Sequence, residues 1–138
     1  MKPQTAAYLE NAWEALADAK NILAIDIPRQ SGRLAYYAQF HAAQALIFER
    51  TGKVAKTHKG VRAEFHKLAR LEAALDTRLS GDLTAAYHFK EAADYETGTA
   101  GHITTADAEA AIASAERLLA AIRDLLAPIS NAEHGRTR

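Results

Sequence analysis

Three sets of residues have the types and spacing to do chemistry. Lys90 and Asp94 lie one helical turn apart in Lys90-Glu91-Ala92-Ala93-Asp94-Tyr95-Glu96. On a helix they share a face, either as an ordinary ion pair or, with Tyr95, as a polar cluster at a cleft. Lys59, Arg62, His66 and Arg70 recur at i, i+3, i+7 and i+11, a basic stripe opposite Val61 and Phe65. Phosphate or RNA contact needs a stripe of this kind. The same stripe also reads as a solvated face paired with acidic residues. On spacing alone that plainer reading weighs more, because exposed ion pairs are common and weak. His41 lies inside an apolar stretch. There a core histidine with one hydrogen-bond partner (Tyr36, Tyr37 or a carboxylate) is the commoner case, and a general base the sharper one.

Composition removes several other chemistries. The chain has 138 residues, 17 Lys and Arg against 17 Asp and Glu, and no Cys. Zero net charge gives no global signal for nucleic acid or membrane. Without Cys there is no disulfide frame, no cysteine-zinc site and no thiol nucleophile. The His residues lack zinc-ligand spacing, and Glu-x-x-His pairs of a di-iron bundle are missing. No Gly-rich phosphate loop follows a strand pattern, and no Ser or Thr has a nucleophile's context. No cofactor and no metal is expected. Charge is uneven locally: basic residues dominate from Arg50 to Arg70, with Glu64 as the acid there, and acids dominate from Glu72 to Glu109. Met1-Lys2-Pro3-Gln4 runs into an amphipathic segment with no signal-peptide core, and no apolar run approaches membrane-spanning length. The expectation is a soluble cytoplasmic protein.

The element that must position these residues is the stretch from Arg33 to Arg50. Ala and Leu, the best helix formers, dominate it, and it is apolar nearly all round, as a buried helix is. The sequence predicts that it begins after Gly32, with Ser31 as N-cap, and ends at Thr51-Gly52 on a left-handed glycine cap. Residues 5–24 read as a first helix, with Leu9, Ala12, Trp13, Leu16, Ala19 and Leu23 at helical spacing. Asp26 to Gly32 reads as a loop punctuated by Pro28 and Gly32. Residues 58–71 read as a short helix capped by Thr57. Asp76 to Tyr95 reads as a fourth helix with Leu75, Leu79, Leu83, Ala86 and Lys90 on one line and a candidate break at Ser80-Gly81. Residues 97–102 read as a flexible loop. Residues 105–127 read as the last helix, opened by a capping box between Thr104 and Asp107 and stopped by Pro128. The fold expected is an all-α, five-helix up-and-down bundle over 1–128, with a fraying tail over 129–138.

Ser31-Gly32-Arg33-Leu34-Ala35-Tyr36-Tyr37-Ala38-Gln39-Phe40-His41-Ala42-Ala43-Gln44-Ala45-Leu46 resembles the second-helix signature of the HEPN superfamily, in the branch of small stand-alone prokaryotic proteins. Thr57-His58-Lys59-Gly60-Val61 resembles that family's turn into its third helix. Ala92-Ala93-Asp94-Tyr95-Glu96 resembles the Arg-x-x-Ala-Asp-Tyr end of its fourth, and Ile103 to Glu109 its entry into the last. The resemblance covers nearly the whole chain, in order. It implies a five-helix domain that usually forms a symmetric homodimer. Many HEPN proteins are metal-independent endoribonucleases whose motif is Arg, four to six spacers, then His, facing a dimer cleft. His there helps activate the ribose 2′-hydroxyl and Arg stabilises charge on the phosphate. Many small members pair with a minimal nucleotidyltransferase as toxin–antitoxin or regulatory systems, and in some pairs a HEPN tyrosine accepts nucleotidyl groups.

This chain departs from the nuclease motif. Arg33 to His41 has seven spacers, Arg62 to His66 has three, and no other Arg supplies the right interval. At the family's Arg-x-x-Ala-Asp-Tyr position stands Lys90, which keeps the charge and loses the planar bidentate fork. Three readings stay open. The first is a homodimeric component of a toxin–antitoxin or nucleotidyltransferase-associated system that binds RNA or nucleotide. The second is a metal-independent ribonuclease with a variant site of Lys90, Asp94, Tyr95 and His41 or His88. The third is a non-catalytic dimeric interaction module. In the first two, Arg33, Lys59, Arg62, His66 and Arg70 would contact phosphate.

Overall fold

The computed structural model describes residues 1–95 and 102–127. Five helices follow one another: α1 Pro3–Ala24, α2 Pro28–Thr51, α3 His58–Leu71, α4 Arg78–Tyr95 and α5 Thr105–Leu126. The described residues contain no strand. The all-α five-helix bundle expected from the periodicity is the fold. Pro128, the tail and most of the 97–102 loop lie outside the described residues.

The second helix is the axis, and the other four all pack on it. Its alanines let them come close: Ala35, Ala38, Ala42, Ala43 and Ala45 are fully buried. It is also longer than its sequence predicts. It begins at Pro28, capped by Ile27 without a side-chain hydrogen bond. Pro at the first helical position is pre-organised for a helix and lacks only an N–H that would have no partner there. The loop expected over 26–32 therefore shrinks. Ser31, expected as an N-cap, lies within the helix and donates its hydroxyl to the Ala19 carbonyl at 2.7 Å. Gly32 lies within the helix where α4 crosses: a Cβ at this position would fall inside van der Waals contact of the Phe89 ring. The far end follows the expectation. Gly52 takes φ 72° and its N–H caps the Phe48 carbonyl.

Polar staples set the direction of α1. Lys2 donates its backbone N–H, and Thr5 its hydroxyl, to Glu49 Oε1 at 3.0 and 2.8 Å. With Ser31 bound near Ala19, α1 and α2 must run antiparallel. After Gly52 the chain runs back along α2, held by Gln44, whose side-chain N–H donates to the Ala55 carbonyl at 2.8 Å. This return brings the start of α3 beside Tyr36 and its end, through the Arg50–Glu72 ion pair, beside the end of α2. Thr57 caps α3 by accepting the Gly60 N–H at 2.9 Å. α4 begins at Arg78 rather than Asp76, whose carboxylate accepts the Arg78 N–H at 2.9 Å. Ser80-Gly81 does not break α4: nothing crowds Gly81, and Ser80 turns its hydroxyl back to the Thr77 carbonyl. The Thr104–Asp107 capping box is present at the head of α5. The core runs from Leu9 and Leu16 through Leu46 and Phe65 to Leu83, Leu118 and Ile122. No helix of the described residues is long and apolar enough to cross a membrane.

Candidate functional site

Polar side chains gather where α2, α3 and α4 meet. Arg33, Tyr36 and Tyr37 descend one face of α2. His58 is the first residue of α3, and Arg62 lies one turn on. Tyr87, Lys90, Glu91 and Asp94 share one face of α4. Helical spacing explains each group, and the return of residues 52–57 along α2 explains why they meet.

Lys90 anchors the group. The line Leu75, Leu79, Leu83 and Ala86 runs into the core, and Lys90 is its continuation, so the helix carries the ammonium inward until the residue is 7% exposed. Its Nζ lies 2.9 Å from Asp94 Oδ2 and 3.7 Å from Glu91 Oε2. The Asp94 hydrogen bond raises the Lys90 pKa, so the ammonium stays charged. Asp94 also lies 2.7 Å from Arg33 Nε, although this N–H is not aimed at the oxygen, so the pair is a charge contact rather than an aligned hydrogen bond. Arg33 donates from Nη1 to Gln30 at 2.7 Å.

His58 sits among rings, with centroids 5.1 Å from Phe40, 5.5 Å from Tyr87 and 5.6 Å from Tyr36. Its Nδ1 is 2.6 Å from the Tyr36 hydroxyl. Burial raises the Tyr36 pKa, so the phenol keeps its proton at neutral pH. Burial also lowers the His58 pKa, with Lys90 and Arg62 adding to the effect. With a neutral imidazole and a protonated phenol, one tautomer uses both groups' hydrogen-bonding capacity: Tyr36 donates, Nδ1 accepts, and Nε2 carries the proton. In that tautomer His58 offers an N–H donor at Nε2. Arg62 stacks on Tyr87 with 3.9 Å from guanidinium carbon to ring centroid. A guanidinium stacked by its face hydrogen-bonds through its edge. The buried Arg62 Nη1 has no hydrogen-bond partner among the described residues. Tyr87 donates its hydroxyl to Glu91 at 2.8 Å, which raises its own pKa. Arg33, Arg62 and Lys90 face two carboxylates, so the cluster is left with an excess of positive charge.

The sequence candidates separate. Lys90, Asp94, Arg33 and Arg62 come together. Tyr95 is 72% exposed with its ring 5.9 Å from Lys90 Nζ. His41 lies on the α1 side of Tyr37, in a depression that Tyr37 lines together with Asn11, Glu14, Asp18 and Leu34, and its Nδ1 is 2.9 Å from Gln44 Oε1. Its partner is thus an amide rather than the tyrosine or carboxylate expected. Along the basic stripe, His66 and Arg70 line one shallow depression. Arg62 turns to Tyr87, while Lys59, His66 and Arg70 are exposed and His66 meets Ser80 at 3.1 Å. His88 is exposed, with its ring 5.8 Å from Tyr87. Residue types and spacing missed His58, Tyr36 and Tyr87 as site residues. One signal was there: His58 stands in the Thr57-His58-Lys59-Gly60-Val61 turn. No group of His, Asp and Glu among the described residues is arranged to hold a metal ion.

Comparison with known proteins bears on this geometry. A family profile described as HEPN domain matches residues 5–125. None of the curated proteins compared with the sequence matches it. The crystal structure of TT1696 from Thermus thermophilus superposes with a TM-score of 0.73 at 23% identity, covering 91% of this chain and 100% of that one. At that identity the likeness is one of fold.

Proposed function

The chain belongs to the HEPN domain family, and from that premise we propose that it binds the phosphates of RNA or a nucleotide at the α2–α3–α4 cluster, as a component of a toxin–antitoxin or nucleotidyltransferase-associated system. Membership supports a nucleotide- or RNA-related, or toxin–antitoxin-type, role at the level of the family. The finer reading rests on one observation: Arg62, Lys90 and the His58 Nε2–H converge beside the tyrosines. Positive charge next to aromatic faces suits a nucleic-acid strand, since phosphates meet the cations and bases the rings. The half-exposed His58 and Arg62 also argue against a sealed, purely structural cluster. The chain's partners on this reading are a second copy of itself and a minimal nucleotidyltransferase.

Binding of fluorescent single-stranded RNA and of nucleoside triphosphate, measured across a salt series, tests it. Wild type binds with affinity falling as salt rises, and Arg62→Gln with Lys90→Gln weakens binding about tenfold or more while the circular dichroism stays helical. Equal binding by wild type and the double variant would sink the proposed site. The ribonuclease reading is separated in the same samples. Cleavage in EDTA that disappears with Lys90→Ala would establish a nuclease with a variant site.

A further inference from the structure

The outer face of α3 carries charge that the fold itself does not use. The helix packs on α2 and α4 alone, so Lys59, Ala63, His66, Lys67 and Arg70 are left exposed. They fall on two neighbouring lines of the helix, Lys59-Ala63-Lys67 and Arg62-His66-Arg70, each at i, i+4 and i+8. Glu64, the acid of this helix, lies on the next line with Gly60 and Leu68 and is half-buried. Lys53 and Lys56, in the segment leading into α3, are exposed as well.

Lys53, Lys56, Lys59, Lys67 and Arg70 make no ion pair among the described residues. On the other helices, Lys20, Arg33, Arg50, Lys90 and Arg117 each lie within 3.9 Å of a carboxylate. Exposed acids are found elsewhere: Glu10, Glu14 and Asp18 stand on α1, which does not pack on α3. The plainer reading of the basic stripe, a solvated face paired with acids, therefore does not describe this surface.

Such a face fits a phosphate backbone better than a protein. Protein interfaces bury an apolar centre and deplete it of charge, and between Lys59 and Arg70 this face has only the methyl of Ala63 to bury. A nucleic-acid backbone is held by charge and by the counterions it releases. No Phe, Tyr or Trp lies on the face to stack on bases, and the ring of His66 is held at Nδ1 beside Ser80 Oγ, 3.1 Å away. The face is also continuous with the cluster. Arg62 heads one of its lines and stacks on Tyr87. Arg70 lies eight residues further on, about 12 Å along the helix axis. A stacked strand carries a phosphate about every 3.4 Å, so about three or four nucleotides cover that run, and a single nucleotide held in the cluster does not.

We infer, on the premise that the α2–α3–α4 cluster binds phosphate, that the outer face of α3 is a second phosphate-binding surface, indifferent to base, and that the ligand is an RNA strand spanning both surfaces rather than a free nucleotide.

The test titrates full-length protein, across a salt series, with labelled adenosine triphosphate, a uridine dinucleotide and a uridine octanucleotide. Wild type binds the octanucleotide about tenfold or more tightly than the dinucleotide, and adenosine oligomers show the same gain with length. Lys67→Gln with Arg70→Gln changes two exposed, unpaired side chains. It leaves triphosphate binding unchanged, removes most of the gain and lowers the octanucleotide salt slope by about 1.4, the value for two phosphate contacts on a single strand. The inference falls if the octanucleotide binds no better than the dinucleotide, or if this variant keeps the wild-type affinity and slope. It falls also if octaglutamate binds as tightly as the octanucleotide, which would mark an acidic protein segment as the occupant. A variant that lowers the mass in light scattering and leaves RNA binding alone would overturn it in favour of a second copy. The cluster fails separately: if Arg62→Gln with Lys90→Gln leaves triphosphate binding intact, the shared footprint is gone even where the α3 variant weakens the octanucleotide.

Discussion

Lys90 is buried by its helical register, and two carboxylates compensate the cost. Removing one member of a buried charge pair usually destabilises strongly, but Asp94 keeps Arg33 at 2.7 Å. Lys90→Ala should therefore lose about 1–3 kcal/mol of stability. A double-mutant cycle with Asp94→Ala in urea denaturation should give a coupling of about 1 kcal/mol or more; additive losses would show that the pair does not act as one. His58 governs the acid side. Its folded pKa is depressed below the ordinary 6.5 by burial and then by Lys90 and Arg62. The unfolded chain takes up this proton first as pH falls, so the contribution is full above about 6.5 and is lost as pH drops through the lowered folded value. His58→Gln should flatten that acid slope in thermal melts across pH. Tyr36 and Lys90 act at the other end. Both hold their protons more tightly folded than unfolded, Tyr36 through burial and Lys90 through the Asp94 hydrogen bond. Stability should fall as pH rises past about 10, where the unfolded chain deprotonates first, and Tyr36→Phe should remove part of that fall.

Among the elements, two glycines on neighbouring helices should respond in opposite senses. Gly81 sits in α4 with nothing near a Cβ. Gly81→Ala should stabilise by about 0.5–1 kcal/mol, by helix propensity and a stiffer unfolded chain. Gly32 is where α2 and α4 cross. Gly32→Ala gains the same propensity but must displace the Phe89 ring, an overpacking cost of about 1–3 kcal/mol, so it should be neutral to destabilising. A shift of Phe89 ring resonances would register the move. Thr104→Ala removes one half of the capping box and should cost about 1 kcal/mol, read as a lower midpoint in denaturant with an unchanged slope. Both caps, at Thr57 and Thr104, were legible in the sequence because side chain and N–H lie three residues apart and need no distant partner. The start of α2 was not: Pro28 and Gly32 carry turn signals locally, and the packing of α1 and α4 overrides them.

For the molecule as a unit, the proposed homodimer and nucleotidyltransferase complex are the properties to measure. Light scattering should return about twice the 15.0 kDa of one chain; a strict monomer at all concentrations would refute the dimer. Co-expression with a nucleotidyltransferase encoded beside it should give a complex that survives size exclusion, and separate elution would count against the partnership while leaving the phosphate site to be judged by its own salt series.

Local sequence is enough to specify the five helices, the central place of α2 and the burial line that ends in Lys90. Each follows from local propensity and from a 3.6-residue period that any packed helix must obey. The family resemblance and the pairing of Lys90 with Asp94 are equally legible, because both reside in short stretches of chain. Which residues meet across helices emerges only on folding. His58 joins Tyr36 and Tyr87 because residues 52–57 return along α2. His41 lies beyond Tyr37, in a depression toward α1 that the two residues share. Arg62 leaves the basic stripe to stack on Tyr87. Helical spacing fixes which residues share a face, but the burial of apolar area by all five helices together fixes what that face meets, and that is a property of no single segment.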